Sequence, residues 1–269
     1  MGRLLALKER KEPLSKEEAD YPSIWEANKA SALSGSEQVG SWRKNLVYRK
    51  PSGSGGPASV KLQPGGESSP ALEEVILLRG STRRFARKSI SFEQLSTVIG
   101  ASTGDCPLDF LSRGGTLVDF YLTASSVDGL PPGSYFYDTG TQSLVQLRKG
   151  EFRGMSAHLG LEQPLFGDAS VVFFLIADLE YALGLFGSRG YRAAQFEAGV
   201  RAGKIYLSAY SLGIGASGST FYDDTVTELF SPHAREGKER DNRGRAGCPG
   251  VQGPAWQGPR RSTRVPKPQ

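Results

Sequence analysis

Arg79-Gly80-Ser81-Thr82-Arg83-Arg84-Phe85 is the stretch on which the reading of this chain turns. Arginines stand two residues to either side of Ser81, so two guanidinium forks and one hydroxyl can converge on the oxygens of an anion such as a phosphate. The same residues also suit a plain solvated helix end, where cations offset the negative pole of the helix dipole. Spacing alone leaves both readings open.

Outward from this stretch the pattern is regular. Pro70 opens a helix to about Leu78, with Leu72, Val75 and Ile76 at roughly helical spacing. On the other side, Ser91-Phe92-Glu93-Gln94 is a capping box, and the helix it starts buries Leu95, Val98 and Ile99. Residues 117–123 read as a strand. The turn at residues 128–133 delivers the chain into a second strand at 134–137, and residues 143–147 give a third. A short helix is expected over 150–159. Residues 171–177 are continuously apolar, which predicts a central strand covered on both faces. Residues 193–212 form a long helix rich in small side chains, ended by Gly213. Helices before, between and after strands give an α+β sandwich.

Composition divides the chain into four. Residues 1–50 are charged and read as an N-terminal helical extension, with a capping box at Ser15-Lys16-Glu17-Glu18; Trp25 and Trp42 mark a small extra module. Residues 51–69 are a Gly/Ser/Pro linker unable to bury a core. Residues 70–234 carry the periodic signals. Residues 235–269 are a basic Gly/Pro/Arg-rich tail that reads as disordered and cannot complete a sheet.

Residues 231–269 hold nine Lys/Arg and three Asp/Glu, so the formal +5 of the whole chain belongs to the tail and the rest is nearly neutral. A nucleic-acid function would rest on the tail alone. Its single aromatic, Trp256, gives bases no stacking platform, so nucleic acid is not expected as a partner. The apolar run at 171–177 falls far short of the roughly 20 residues that span a bilayer, and no signal peptide is evident, so the expectation is a cytoplasmic protein. Cys106 and Cys248 form no Cys-x-x-Cys, and His158 and His233 are the only histidines. That argues against a disulfide framework, a Cys/His zinc site and a Ser-His-Asp hydrolase.

From Ala71 to about Gly237 the chain resembles the nitroreductase superfamily, and more closely its SagB-type branch, the azoline dehydrogenases of peptide-modifying clusters. The ordered anchors are the Arg-x-Ser-x-Arg-x-Phe block at 79–85, the 90–96 segment, residues 129–138, Arg189-Gly190-Tyr191-Arg192 with Glu197-Ala198-Gly199, Gly213-Ile214-Gly215, and Phe221-Tyr222-Asp223-Asp224. The resemblance implies a mostly antiparallel central sheet covered by helices, with FMN at a homodimer interface. It implies that Arg79 and Ser81 hold the FMN phosphate and ribityl chain. Arg83 matches the cation near the N1 and O2 edge of the flavin, and Ser217 and Gly218 fall in the loop whose backbone approaches N5. Ser112 and Gly114, in Leu111-Ser112-Arg113-Gly114-Gly115, match a Pro-Ser-Gly-Gly-like loop beside the ring, with leucine where the family prefers proline.

Two departures stand out. Azoline dehydrogenases carry a Lys-Tyr pair just before the Gly-x-Arg-x-Tyr-Arg stretch, where this chain has Leu185 and Phe186, and neither can move a proton. Tyr181 and Tyr191 lie nearby, and core packing is the expected job of each. The family's final apolar strand is also replaced by the basic tail, which predicts an exposed sheet edge. The expected activity is hydride transfer through flavin N5, with azoline rings of a peptide or natural product as substrate. The alternatives are an NAD(P)H-dependent nitro or quinone reductase, which meets nicotinamide transiently, and a non-catalytic flavin-fold scaffold in a modification complex. His158 is read as a surface residue and Asp223-Asp224 as the start of a helix rather than a metal site.

Overall fold

The computed structural model describes residues 21–44, 46–47, 58–63, 65, 70–234, 246–247 and 250–252. The expected capping box at Ser15 and most of the tail lie outside the described residues. The chain begins with helices α1 (Pro22–Ala30) and α2 (Ser36–Trp42), then strand β1 (Ser59–Lys61) and helix α3 (Leu72–Leu78). Strand β2 (Ile90–Ser91) leads into α4 (Phe92–Thr103). Four strands follow, β3 (Val118–Ala124), β4 (Val127–Asp128), β5 (Gly133–Asp138) and β6 (Ser143–Lys149). Helices α5 (Arg153–Leu159) and α6 (Pro164–Asp168) precede β7 (Val171–Ala177). The rest is α7 (Leu179–Phe186), α8 (Arg189–Ser211), β8 (Ser217–Ser219), α9 (Asp223–Leu229), β9 (Ala246–Gly247) and β10 (Gly250–Gln252).

The main sheet runs β1-β6-β5-β3-β7-β10-β8, with β9 also paired to β7, and its ladders are antiparallel. A small parallel pair joins β2 to β4. Period-two alternation sorts the central strands between two cores. Val171, Phe173, Leu175 and Ala177 of β7, with Phe120 and Leu122 of β3, face a cluster built with α4 and α8 through Leu95, Ile99, Ala194 and Ile205. Val172, Phe174 and Ile176 face the opposite cluster with Tyr121, Phe136, Leu159, Phe166 and Phe230. Helices therefore cover both faces of an antiparallel sheet, the α+β arrangement expected.

The capping box at Ser91 is formed in both directions: the Ser91 hydroxyl accepts from Gln94 N–H at 3.0 Å, and Gln94 Oε1 accepts from Ser91 N–H at 3.0 Å. Helix α8 starts four residues earlier than the small-residue run suggests, at Arg189. Helix α7 was not anticipated.

Two segments depart from their compositional reading. Within residues 51–69, Ser59–Lys61 pairs with β6 as an edge strand. Within the tail, residues 250–252 enter the sheet between β7 and β8, so the expectation that the tail cannot complete a sheet is corrected. Both departures have one cause. A ladder is made of main-chain N–H and C=O groups, which every residue but proline supplies in full, and the free edges of β6, β7 and β8 present unpaired groups to any extended neighbour. Trp42 and Val47 are buried in the same cluster as α4 and α8, whereas Trp25 is 58% exposed.

Candidate functional site

Residues 79–83 leave α3 in extended conformation and cross the C-terminal end of α8. Main-chain and hydroxyl contacts fix them there. Thr82 N–H donates to Ala216 C=O at 2.8 Å, the Thr82 and Tyr210 hydroxyls lie 3.2 Å apart, and Ser81 Oγ is 3.4 Å from the Tyr206 hydroxyl. Tyr206 and Tyr210 are one helical turn apart, so both hydroxyls leave the same face of α8. Thr82 also packs so closely on Gly215 that a Cβ at 215 would overlap its Oγ1, which only glycine permits. The loop after α8, where Gly213 has φ +72°, is thereby clamped to the arginine segment.

Thr82 thus ties the segment that carries Arg79, Ser81 and Arg83 to Gly215 and Ala216, the residues that lead into Ser217 and Gly218. Arg79 stacks over the Tyr206 ring at 6.0 Å. Arg79, Arg83 and Arg84 are exposed and make no ion pair with any described carboxylate. Three cations with two tyrosine hydroxyls and a serine hydroxyl beside them fit an anionic group. Ser217 is buried and Gly218 exposed. They belong to β8, paired with β10, rather than to an open loop, because the tail strand supplies the missing ladder partner.

Ser112 and Gly114 occupy a different place. Their turn follows α4 and lies against Val47, with Ser112 Oγ donating to Val47 C=O at 2.6 Å. Gly114 N–H donates to Asp105 Oδ1 at 3.1 Å. A cleft of about 450 Å³ opens beside Gly114 and Gly115, lined also by Thr116, Asp119, Tyr137 and Arg201 and not by any residue of 79–83. The two expected halves of the site are therefore separate features of one chain.

Behind that cleft sits a buried charge network that the sequence reading passed over. Glu197 and Arg201, one turn apart on α8, pair at 2.7 Å. Glu197 also accepts from the Thr116 hydroxyl and from Leu117 N–H, both at 2.7 Å. Arg201 Nη1 donates to the C=O groups of Ser102 and Gly104, at 3.0 and 3.3 Å, capping the end of α4. The Glu-x-x-x-Arg spacing was visible in the sequence; its burial was the missing signal. Burial pushes the nearby Cys106 thiol up, against the pull of Arg201 and Lys204.

Several apparent motifs resolve into structure. Gly100-Ala101-Ser102-Thr103-Gly104 has the spacing of a nucleophile elbow, yet Ser102 lies in α4, fully buried, with its hydroxyl on the Val98 and Ile99 carbonyls. Gly213-Ile214-Gly215-Ala216-Ser217-Gly218 has dinucleotide-loop spacing but follows a helix and enters a strand, the reverse of that motif. His158 is exposed and pairs with Glu162, and Asp223 opens α9, both as read. Tyr191 is 49% exposed, so the expectation that it packs in the core is corrected: it falls on the outer face of α8. Phe186, standing where azoline dehydrogenases keep tyrosine, packs on Trp42 at 4.5 Å between ring centroids and on Phe110 at 6.2 Å. Among the described residues no group of three His, Cys, Asp or Glu could hold a metal, and no helix is long and apolar enough to cross a membrane.

The sequence profile of the nitroreductase family matches residues 76–231, more than half of the chain. The chain belongs to the nitroreductase family. A protein from Methanocaldococcus jannaschii that bears the nitroreductase name is 29% identical over 165 residues, covering 59% of this chain and 83% of that one. A crystal structure of a protein from Anabaena variabilis, also carrying that name, superposes with a TM-score of 0.69 at 23% identity. It covers 90% of this chain, which in turn spans about half, 48%, of the Anabaena protein. The Escherichia coli microcin synthetase McbBCD complex with truncated pro-MccB17 bound contains a chain with a TM-score of 0.52 at 16% identity, covering 88% of this chain and 98% of that one. At these identities the solved structures establish the shared fold.

Proposed function

We propose that this nitroreductase-family chain is an FMN-dependent oxidoreductase. The observation that carries the reading is the cationic edge of Arg79, Arg83 and Arg84, which no described carboxylate neutralises and which Thr82 ties to the 215–218 segment. When bound, FMN supplies a ring nitrogen, N5, that accepts and donates hydride. Arg79 and Ser81 are assigned to the phosphate and ribityl chain. Arg83 is assigned to the pyrimidine edge of the ring, as a fixed cation where reduction places negative charge. The main chain at Ser217 and Gly218 is assigned to the N5 side.

Ser112 and Gly114 complete this reading from a second copy of the chain. Helix α3, which leads into Arg79, exposes Leu72, Ile76, Leu77 and Leu78, with Leu77 at 86%. A homodimer would cover that face and bring the two separated halves together.

For the direction of electron flow, one observation favours reduction of a nitro or quinone acceptor with NAD(P)H over oxidation of an azoline ring. Leu185 and Phe186 stand where a Lys-Tyr pair would move the proton, and Phe186 is committed to packing on Trp42. The SagB-type reading rests on motif order alone. The test is the visible spectrum of the protein after FMN is added and excess removed, followed by NAD(P)H and a quinone without oxygen. Retained flavin at about one per subunit, bleached by NAD(P)H and recoloured by quinone, is expected. Retained flavin inert to NAD(P)H would favour ring dehydrogenation, and a folded protein without flavin would favour a scaffold.

A further inference from the structure

The turn that carries Ser112 and Gly114 closes on one bond of its own, Gly115 N–H to Ser112 C=O at 2.8 Å, and is otherwise held from outside. Val47, fully buried, reaches it from the N-terminal segment. Val47 N–H donates to Phe110 C=O at 2.9 Å, and its carbonyl accepts from both Ser112 N–H at 3.1 Å and the Ser112 hydroxyl at 2.6 Å. Gly115 lies so close to this carbonyl that a Cβ there would overlap its oxygen. Upstream, Trp42 packs edge-on to Phe110 at 5.4 Å, and the Arg189 guanidinium lies over the Trp42 ring at 4.6 Å. Arg189 also donates to Ser31 C=O at 2.7 Å, and Arg192 donates to Asn28 Oδ1 at 2.5 Å and Ser31 Oγ at 2.8 Å. Residues 28–44 are thus fastened to α8 at one end, and the chain reaches the 110–115 turn through Val47 at the other.

We propose that this N-terminal segment is a positioning strap: it sets the conformation of the 111–115 turn and through it the affinity for FMN. The proposal rests on the FMN reading given above. It has a chemical corollary. The Ser112 hydroxyl proton is committed to Val47, so toward a ligand Ser112 offers only lone pairs. It would accept from a hydroxyl or N–H of the ligand and would not donate to a phosphate. Arg189 and Arg192 act through the strap, at its far end from the turn, and touch none of the assigned flavin positions.

The experiment uses the full chain and two readouts, hydrogen exchange of the Ser112 and Gly115 amides in flavin-free protein and the FMN dissociation constant. In Arg189→Gln/Arg192→Gln, exchange at those amides should quicken and FMN affinity fall about tenfold, while the exchange-resistant β3 and β7 amides hold. The Arg189→Lys/Arg192→Lys variant, which keeps the charges, should recover part of the affinity. Gly115→Ala attacks the same contact from the turn and should move both readouts in the same direction. Unchanged exchange in both the Gln variant and Gly115→Ala overturns the strap. Faster exchange with unchanged FMN affinity overturns its positioning role. A wild type that takes up no FMN overturns the cofactor reading, and the exchange data still show whether residues 28–47 hold the turn.

Discussion

Two polar regions of this molecule are built on opposite terms. Around Glu197 and Arg201 each charge is answered within the chain: the carboxylate accepts from Arg201, Thr116 and Leu117, and the guanidinium reaches the carbonyls that end α4. At the 79–84 edge three arginines stand exposed with no described carboxylate partner, although Thr82 and Gly215 hold their backbone tightly. A buried ion pair left half-made costs about 3–5 kcal/mol, so the interior network has to be complete. A surface that is rigid in backbone and unsatisfied in charge costs little to maintain in water and is preorganised for a ligand. The difference separates polar residues that serve the fold from polar residues kept for something outside it.

The comparison breaks most visibly at Glu197. Glu197→Ala leaves Arg201, the Thr116 hydroxyl and Leu117 N–H without their acceptor, and a loss of about 3–5 kcal/mol is expected in urea unfolding. A loss under about 1 kcal/mol would show that the interior network is not what distinguishes the two regions. Gly215→Ala should cost less, about 1–3 kcal/mol, because Thr82 must move away from the new Cβ. Its larger effect should be on flavin retention, since that movement parts the arginine segment from the 215–218 segment.

A smaller effect sharpens the interior side. The Tyr135 hydroxyl donates to Pro131 C=O at 2.5 Å and accepts from Gln146 at 2.9 Å, and burial pushes its pKa up to about 12 despite the downward pull of Gln146. The folded state favours the neutral phenol. Its contribution to stability is therefore whole below the ordinary value of 10.0 and is lost as pH rises through about 12. Tyr135→Phe should flatten that alkaline limb in a stability-versus-pH series; an unchanged limb would remove Tyr135 as its cause.

What the sequence made legible follows the same division. Local signals were readable: the Ser91 capping box needs only Ser91 and Gln94, and the run at 171–177 is apolar on both of its faces because both cores claim it. The cationic edge was legible only in part, because arginine and serine at that spacing suit a solvated helix end as well as an anion. Contacts made by main-chain atoms were not. Nothing in the identity of Val47 announces that its carbonyl holds Ser112, and nothing in the composition of 51–69 or 235–269 announces the strands at 59–61 and 250–252. Tyr191 was misjudged because position 191 falls on the exposed face of α8, whose buried face runs through Ala194, Glu197, Ala198, Arg201 and Ile205.

The most direct test of the central claim is an FMN titration of Arg79→Ala/Arg83→Ala beside the wild type, followed by flavin fluorescence, with urea unfolding of both proteins. Micromolar or tighter binding by the wild type is expected, with a loss of at least about a hundredfold in the variant and unfolding midpoints that coincide. A variant that binds FMN as the wild type does would contradict it, and the exposed arginines would then be no more than a solvated helix end.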